Sequence, residues 1–177
     1  MKYLSDLLKG LPGLISLSGE DVPILGINFD SRKVNSGDVF VAFKGLSLDG
    51  HEYIPDAIQA GAAAIVGTQQ LELDIPYVRV ADSRSALAYL SAAFYDYPAK
   101  KLTVIGITGT DGKTTTSNLL FSILKTSGKK AGMISTVNAV IGNEILDTGF
   151  HVTTPDAPDL QMYLWKMVKA GLTHVIL

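Results

Sequence analysis

The stretch of the chain best equipped for chemistry is Ile105-Gly106-Ile107-Thr108-Gly109-Thr110-Asp111-Gly112-Lys113-Thr114-Thr115-Thr116. Glycines let a backbone approach oxygen atoms closely, and the amides of a helix's first turn have no intrahelical acceptor. Together with the helix dipole, such amides favour a bound anion. Those around Gly112 to Thr115 are suited to a phosphate. Lys113 is suited to reach the β- and γ-phosphates of a nucleotide. The Thr114 hydroxyl could complete a Mg²⁺ shell otherwise made of phosphate oxygens and water. The spacing departs from G-x-x-x-x-G-K-[ST] at one point, because Ile107 stands where that pattern begins with glycine. Gly106 and Gly109 flank it instead. A glycine-rich turn with an incidental lysine is the plain alternative.

Such a loop works only between a strand and a helix, and the flanking residues predict both. Leu102 to Ile107 (LTVIGI) reads as an apolar strand buried on both faces. Leu119, Leu120, Ile123 and Leu124 follow at helical spacing. Ala131 to Ser135 reads as a strand, Val137 to Thr148 as a hairpin around Gly142-Asn143, and Asp156 to Ala170 as a helix. That helix carries Leu160, Tyr163, Leu164, Met167 and Val168 on one face. Thr173 to Leu177 begins another strand, so the chain is expected to be the N-terminal part of a longer protein.

Upstream, Val39 to Phe43, Ala63 to Val66 and Tyr77 to Val80 read as strands. They alternate with a helix over Tyr53 to Ala60, with Pro55 in its first turn. A further helix is capped by Asp82 or Ser83 and has Leu87, Leu90, Ala93 and Phe94 on its apolar face. Met1 to Gly13 reads as a short amphipathic helix and not a signal peptide. Alternating strands and helices give an α/β class. Pro98-Ala99-Lys100-Lys101 marks the division, giving domains 1–98 and 99–177.

The chain has 177 residues, about one domain or two small ones. With 15 Lys and Arg against 17 Asp and Glu, it has no basic field, so no nucleic acid partner is expected. No cysteine is present, which excludes disulfides, thiolate metal sites and a cysteine nucleophile. No apolar run reaches the ~18 residues of a membrane span. A cytoplasmic protein without membrane contact is expected. His51, His151 and His174 lack the spacing of a zinc site, which favours polar or structural roles. Trp165 reads as a packing residue.

GTDGKTT closely resembles the GT[DN]GKTT loop of the Mur ligases, the ATP-dependent amino-acid-adding enzymes of peptidoglycan synthesis. Asp30-Ser31-Arg32, Gly37-Asp38-Val39-Phe40-Val41-Ala42, Gly45, Asp49-Gly50-His51, Ala57-Ile58 and Gly61-Ala62 resemble that family's UDP-substrate domain, in the same order. The resemblance covers essentially the whole chain. Thr153-Thr154-Pro155-Asp156 before a helix resembles the member that adds the third residue to UDP-N-acetylmuramoyl-L-alanyl-D-glutamate. The Asn-Asn-x-Ile-Gly stretch usual in the D-alanyl-D-alanine-adding member is not found.

The resemblance implies a mixed α/β UDP-substrate domain followed by the first part of a P-loop, parallel-sheet ATPase domain. It implies that ATP phosphorylates a substrate carboxylate and that an amine then attacks the acyl phosphate. On this reading Gly109, Thr110, Asp111, Gly112, Lys113, Thr114 and Thr115 bind ATP, Lys113 is catalytic and Thr114 serves Mg²⁺. Phe29, Ser31, Leu46, Ser47 and Leu48 line the uridine end, and Thr153 and Thr154 hold the muramoyl-peptide. The family's glutamate and histidine for Mg²⁺, and its amino-acid-binding domain, are expected after Leu177. The 177 residues alone are therefore expected to be inactive, and the protein to be a monomer. Competing readings are a D-alanyl-D-alanine-adding ligase, and a P-loop NTPase or nucleotide-binding module without ligase activity. The third amino acid, lysine or meso-diaminopimelate, is left open.

Overall fold

Short β-branched runs separated by helices build the first half of the chain into one sheet. The computed structural model describes residues 1–45, 48–135, 138–142, 144–147 and 155–177. Its contacts divide into two units, Met1–Phe94 and Tyr95–Leu177. The first unit runs β1 (Lys2–Tyr3), α1 (Leu4–Leu8), β2 (Leu14–Ser18), β3 (Pro23–Ile24), β4 (Gly26–Asn28), β5 (Asp38–Val41), α2 (Ile54–Gln59), β6 (Ala64–Gly67), β7 (Tyr77–Val80) and α3 (Ser83–Phe94). The main sheet has the order β2-β7-β6-β5-β4. Strands β4 to β7 are parallel, and β2 adds antiparallel to β7 at one edge. β1 and β3 form a separate antiparallel pair.

Strand alternation sorts the side chains of this sheet. Phe40, Ile65 and Tyr77 pack with Ile54 and Ala57 of α2. α3 contacts β4, β5 and β6 and buries Leu87, Leu90 and Ala93, while α1 packs on α3 with Leu4, Leu7 and Leu8 buried. Full burial of a leucine such as Leu90 contributes about 1.5–3 kcal/mol. The expected cap is present. Asp82 accepts from the Arg84 amide at 2.9 Å and from Ser85 Oγ at 2.5 Å.

The second unit runs β8 (Thr103–Ile105), α4 (Lys113–Thr126), β9 (Ala131–Ile134), β10 (Asn138–Ile141), β11 (Glu144–Asp147), α5 (Ala157–Lys169) and β12 (His174–Ile176). Its sheet order is β11-β10-β9-β12-β8. β12 lies parallel between β9 and β8, and the β10–β11 hairpin adds antiparallel to β9. Tyr163, Leu164 and Met167 of α5 pack with Ile134, Ala139, Ile141 and Val175.

The structure departs from the sequence reading in three places. First, β2, β3 and β4 form in a stretch where the sequence reading assigned no element, because their two- to five-residue runs carry no clear alternation. Second, the strand expected to be buried on both faces is not. β8 is the edge strand of the described sheet, with β12 its one neighbour, and Val104 is 42% exposed. On α4, Leu120 and Leu124 are half-buried, but Leu119 and Ile123 are 62% and 55% exposed. Third, Pro98–Lys101 forms a 3₁₀ turn packed against α5, so the contact division falls before it, at Phe94–Tyr95.

Candidate functional site

The glycine and threonine loop joins β8 to α4. The Ile107 amide donates to Leu177 O at 2.7 Å, tying the start of the loop to the central strand. The loop then leaves the sheet, and residues 108–112 are exposed. Gly112 caps α4 at φ +77°, ψ −2°. A Cβ there would meet nothing closer than Thr116 Oγ1 at 4.0 Å, so the left-handed backbone, not lack of space, calls for glycine. This conformation turns the chain so that Lys113, Thr114 and Thr115 open the helix with their amides outward. Lys113 Nζ donates to Gly109 O at 2.6 Å and lies 3.4 Å from Thr110 O. The Thr114 carbonyl accepts from Asn118 Nδ2 at 2.8 Å, which braces the first turn. An ammonium, a row of helix N-terminal amides and an exposed hydroxyl form a donor set that fits a polyphosphate with a divalent cation. Among the described residues no cluster of three His, Cys, Asp or Glu could hold a metal by itself.

A second site lies in the first unit. A cavity of about 580 Å³ opens beyond the carboxyl ends of β4 and β5, lined by Phe29, Ser31, Leu48, Phe40, Phe43 and Tyr53 among others. Phe29 and Phe43 stack with centroids 5.8 Å apart and planes 31° apart. The Arg84 guanidinium lies 4.9 Å from the Phe43 centroid. Asp30 caps the 3₁₀ turn Ser31–Lys33 and accepts from Arg32 Nε and Nη2 at 2.8 and 2.7 Å. Those hydrogen bonds from Arg32 hold the Asp30 carboxyl below the usual carboxylate range. The Gly50 amide donates to Phe43 O at 3.0 Å, and a Cβ at Gly50 would meet Phe43 O at 2.8 Å and Phe43 N at 2.9 Å. Only glycine lets this cavity wall close so tightly.

Phe29 and Ser31 thus share one cavity with the more distant Leu48. Leu46 and Ser47, and likewise Thr153, Thr154 and His151, lie outside the described residues. Sequence reasoning missed Phe43 and Tyr53 as lining residues. Phe43 reads as the last residue of an apolar strand and Tyr53 as the first of a helix, and in both roles an aromatic is ordinary packing.

Two family descriptions match the chain in succession: the Mur ligase family catalytic domain over residues 23–95, and the Mur ligase middle domain over residues 107–177. The chain belongs to the Mur ligase family. It is 45% identical to the UDP-N-acetylmuramoyl-L-alanyl-D-glutamate–2,6-diaminopimelate ligase of Cytophaga hutchinsonii, covering 91% of this chain and 34% of that protein. Among solved structures, a UDP-N-acetylmuramoyl-L-alanyl-D-glutamate–2,6-diaminopimelate ligase superposes with a TM-score of 0.75 at 25% identity, over 92% of this chain and 34% of that one. The MurF ligase of Thermotoga maritima in complex with ADP superposes with a TM-score of 0.58 at 28% identity, over 85% of this chain and 31% of that one. The chain spans about a third of the length of the curated relatives it matches. In this Mur ligase chain the middle-domain match begins at the loop, and the preceding match includes the whole aromatic cavity. No helix among the described residues is long and apolar enough to cross a membrane.

Proposed function

We propose that this chain forms the substrate-nucleotide and ATP-binding units of an ATP-dependent ligase that adds the third amino acid to UDP-N-acetylmuramoyl-L-alanyl-D-glutamate. The observation that carries this reading is the 45% identity to a 2,6-diaminopimelate ligase, which runs through both sites. Those relatives favour 2,6-diaminopimelate over lysine as the incoming amino acid. The TM-scores, 0.75 to a diaminopimelate ligase against 0.58 and 0.64 to MurF ligases of Thermotoga maritima and Acinetobacter baumannii, favour the same member of the family.

On this reading residues 1–98 bind the UDP-muramoyl substrate and residues 99–177 bind ATP. The Phe29–Phe43 pair offers aromatic faces to the uracil, and Ser31 offers a hydroxyl at the cavity edge. At the loop, residues Gly109 to Thr115 hold the phosphates through backbone amides. Lys113 exchanges its contacts with the Gly109 and Thr110 carbonyls for phosphate oxygens, and the Thr114 hydroxyl holds Mg²⁺. Bound ATP supplies the phosphoryl group that turns a carboxylate into a competent acyl donor. The chain's own part is to place that charge and neutralise it, which is where most of the catalysis of phosphoryl transfer lies. Thr153 and Thr154 hold the muramoyl-peptide. Both ligands are cytoplasmic nucleotides, so the activity belongs in the cytoplasm, and the protein acts as a monomer without nucleic acid or membrane partners.

Residues 1–177 are expected to bind without turnover, because an amine with no site forfeits the proximity gain of about 7–11 kcal/mol. Calorimetric titration tests the two-site reading. ADP with Mg²⁺ and UDP-N-acetylmuramoyl-L-alanyl-D-glutamate should bind together and not compete. Competition for one site, or product from these residues alone with ATP and diaminopimelate, would overturn it.

A further inference from the structure

His51 is buried, its side chain 5% exposed, in the 3₁₀ turn Gly50–Tyr53 directly behind the cavity wall. Its Nε2 lies 3.0 Å from the Thr68 amide, just after β6, and 3.4 Å from Thr68 Oγ1. A backbone amide can only donate, so Nε2 must be the acceptor and Nδ1 must carry the ring proton. Nδ1 lies 2.6 Å from Asp49 Oδ1, and the same oxygen accepts from the His51 amide at 3.0 Å. Asp49 pairs with Lys44 in an isolated antiparallel β-bridge, and the Gly45 amide donates to Leu48 O at 2.8 Å. Gly45, Leu48 and Gly50 all line the cavity.

The ring's seat is shaped for it. A Cβ on Gly67 would meet His51 Nε2 at 3.0 Å and the Tyr77 hydroxyl at 2.8 Å. The groups around the imidazole are Asp49 on its own loop, with Lys44 beyond it, and Tyr77 and Arg79 on β7. The Tyr77 hydroxyl is committed to Gln69 O at 2.6 Å, and Arg79 Nε donates to Thr68 O at 3.2 Å. Arg79 has no acceptor to offer Nε2, and the Tyr77 hydroxyl gives its proton to Gln69 O.

We infer that His51 is a positioning residue for the UDP-substrate cavity, latching the wall residues Gly45 and Leu48–Gly50 to the sheet only as the neutral Nδ1–H tautomer. The inference rests on the proposed reading of that cavity. Protonation makes Nε2 a donor facing the Thr68 amide donor at 3.0 Å, with the Thr68 hydroxyl oxygen, at 3.4 Å, a poor replacement acceptor. The latch then opens, and substrate affinity falls as the imidazole charges.

The test pairs nitrogen NMR of the imidazole with calorimetric binding of UDP-N-acetylmuramoyl-L-alanyl-D-glutamate to the 177-residue chain across pH. The ligand's diphosphate is a diester and keeps its charge near neutrality. The His51 shifts should report the Nδ1–H tautomer at high pH. Affinity should fall roughly five- to tenfold with the same midpoint as the His51 titration, the scale of one buried hydrogen bond lost. His51→Gln keeps an acceptor towards Thr68 and cannot titrate. It should bind within about threefold of the unmodified chain at high pH, with a flat profile. His51→Asn keeps only the donor towards Asp49 and should bind about fivefold more weakly at every pH. An Nε2–H tautomer, an affinity that ignores the His51 titration, or equal losses in the Gln and Asn variants would overturn the latch. If the unmodified chain binds no ligand at any pH, the cavity reading fails first and the latch with it.

Discussion

The phosphate loop and the aromatic cavity solve the problem of holding a nucleotide in opposite ways. The loop uses one contiguous run, Gly109 to Thr115, and works mainly through backbone amides. Residues 108–112 of it are exposed, and among the described residues β8 pairs with β12 alone. The cavity draws side chains from four separated segments and backs them with a buried sheet and a polar network. One site is therefore tuned by backbone conformation, the other by side-chain volume and hydrogen bonds. The same substitution should have different consequences in the two.

The largest expected effect tests whether the units are energetically separate. Leu90 is fully buried beneath the cavity sheet, and Leu90→Ala should cost about 2–5 kcal/mol. Trp165, the chain's single tryptophan, lies in the second unit. In a urea melt, circular dichroism should shift markedly while tryptophan fluorescence shifts little. Equal shifts in both signals would break the comparison.

A smaller loss is expected from Lys113→Ala. Charged hydrogen bonds to phosphate are worth about 1.5–3 kcal/mol, so ADP affinity should drop roughly 10- to 150-fold. Affinity for the UDP-muramoyl ligand should not change. A parallel loss of both would mean that the two sites are not separable.

Gly112→Ala sharpens the contrast further. At φ +77° an alanine is strained by about 1–2 kcal/mol although there is room for its methyl group. ADP binding or unit stability should fall accordingly. Gly106→Ala is the control, because Gly106 has no positive φ and nothing within 4 Å of its Cβ position, and it should be silent. Equal effects at both glycines would contradict the backbone argument.

The smallest effect comes from Asp30 at the cavity edge. Its carboxyl is held below the usual value of 3.8 chiefly by the side-chain hydrogen bond from Arg32. The resulting stability is present above that value and is lost as pH falls through the lowered native one. Arg32 is largely exposed, so solvent screening leaves the pair only a small contribution to stability. Asp30→Asn should remove that part of the acid dependence and leave neutral-pH ligand binding nearly intact.

The contrast also explains what could be read from the residues alone. Gly112-Lys113-Thr114 is informative in sequence because its function is local, with adjacent residues supplying adjacent amides. The helices at α3 and α5 were readable for the same reason, through apolar spacing and, at α3, the Asp82 cap. Phe43 and Tyr53 were not, because a cavity wall is a product of tertiary closure, and an aromatic at a strand or helix end looks like core. The edge position of β8 was equally hidden. LTVIGI has the composition of a central strand, and only the pairing order shows that β12 holds the middle. β2 to β4 escaped because runs of two to five residues give periodicity too little length.

That pairing order has a consequence for how the protein is made. β8 and β9 are neighbours in sequence among the strands but not in the sheet, since β12 sits between them. The strand that carries the phosphate loop therefore waits some seventy residues of synthesis for its partner, Thr103 pairing with His174. At roughly 5–20 residues per second this is a delay of several seconds, during which Val104 and the flanking apolar residues have no sheet to join. Contacts so distant in sequence also slow folding, since loop closure must precede the pairing that rewards it. Within residues 1–177, the strand that carries the nucleotide loop gains its partner only when β12 has been made.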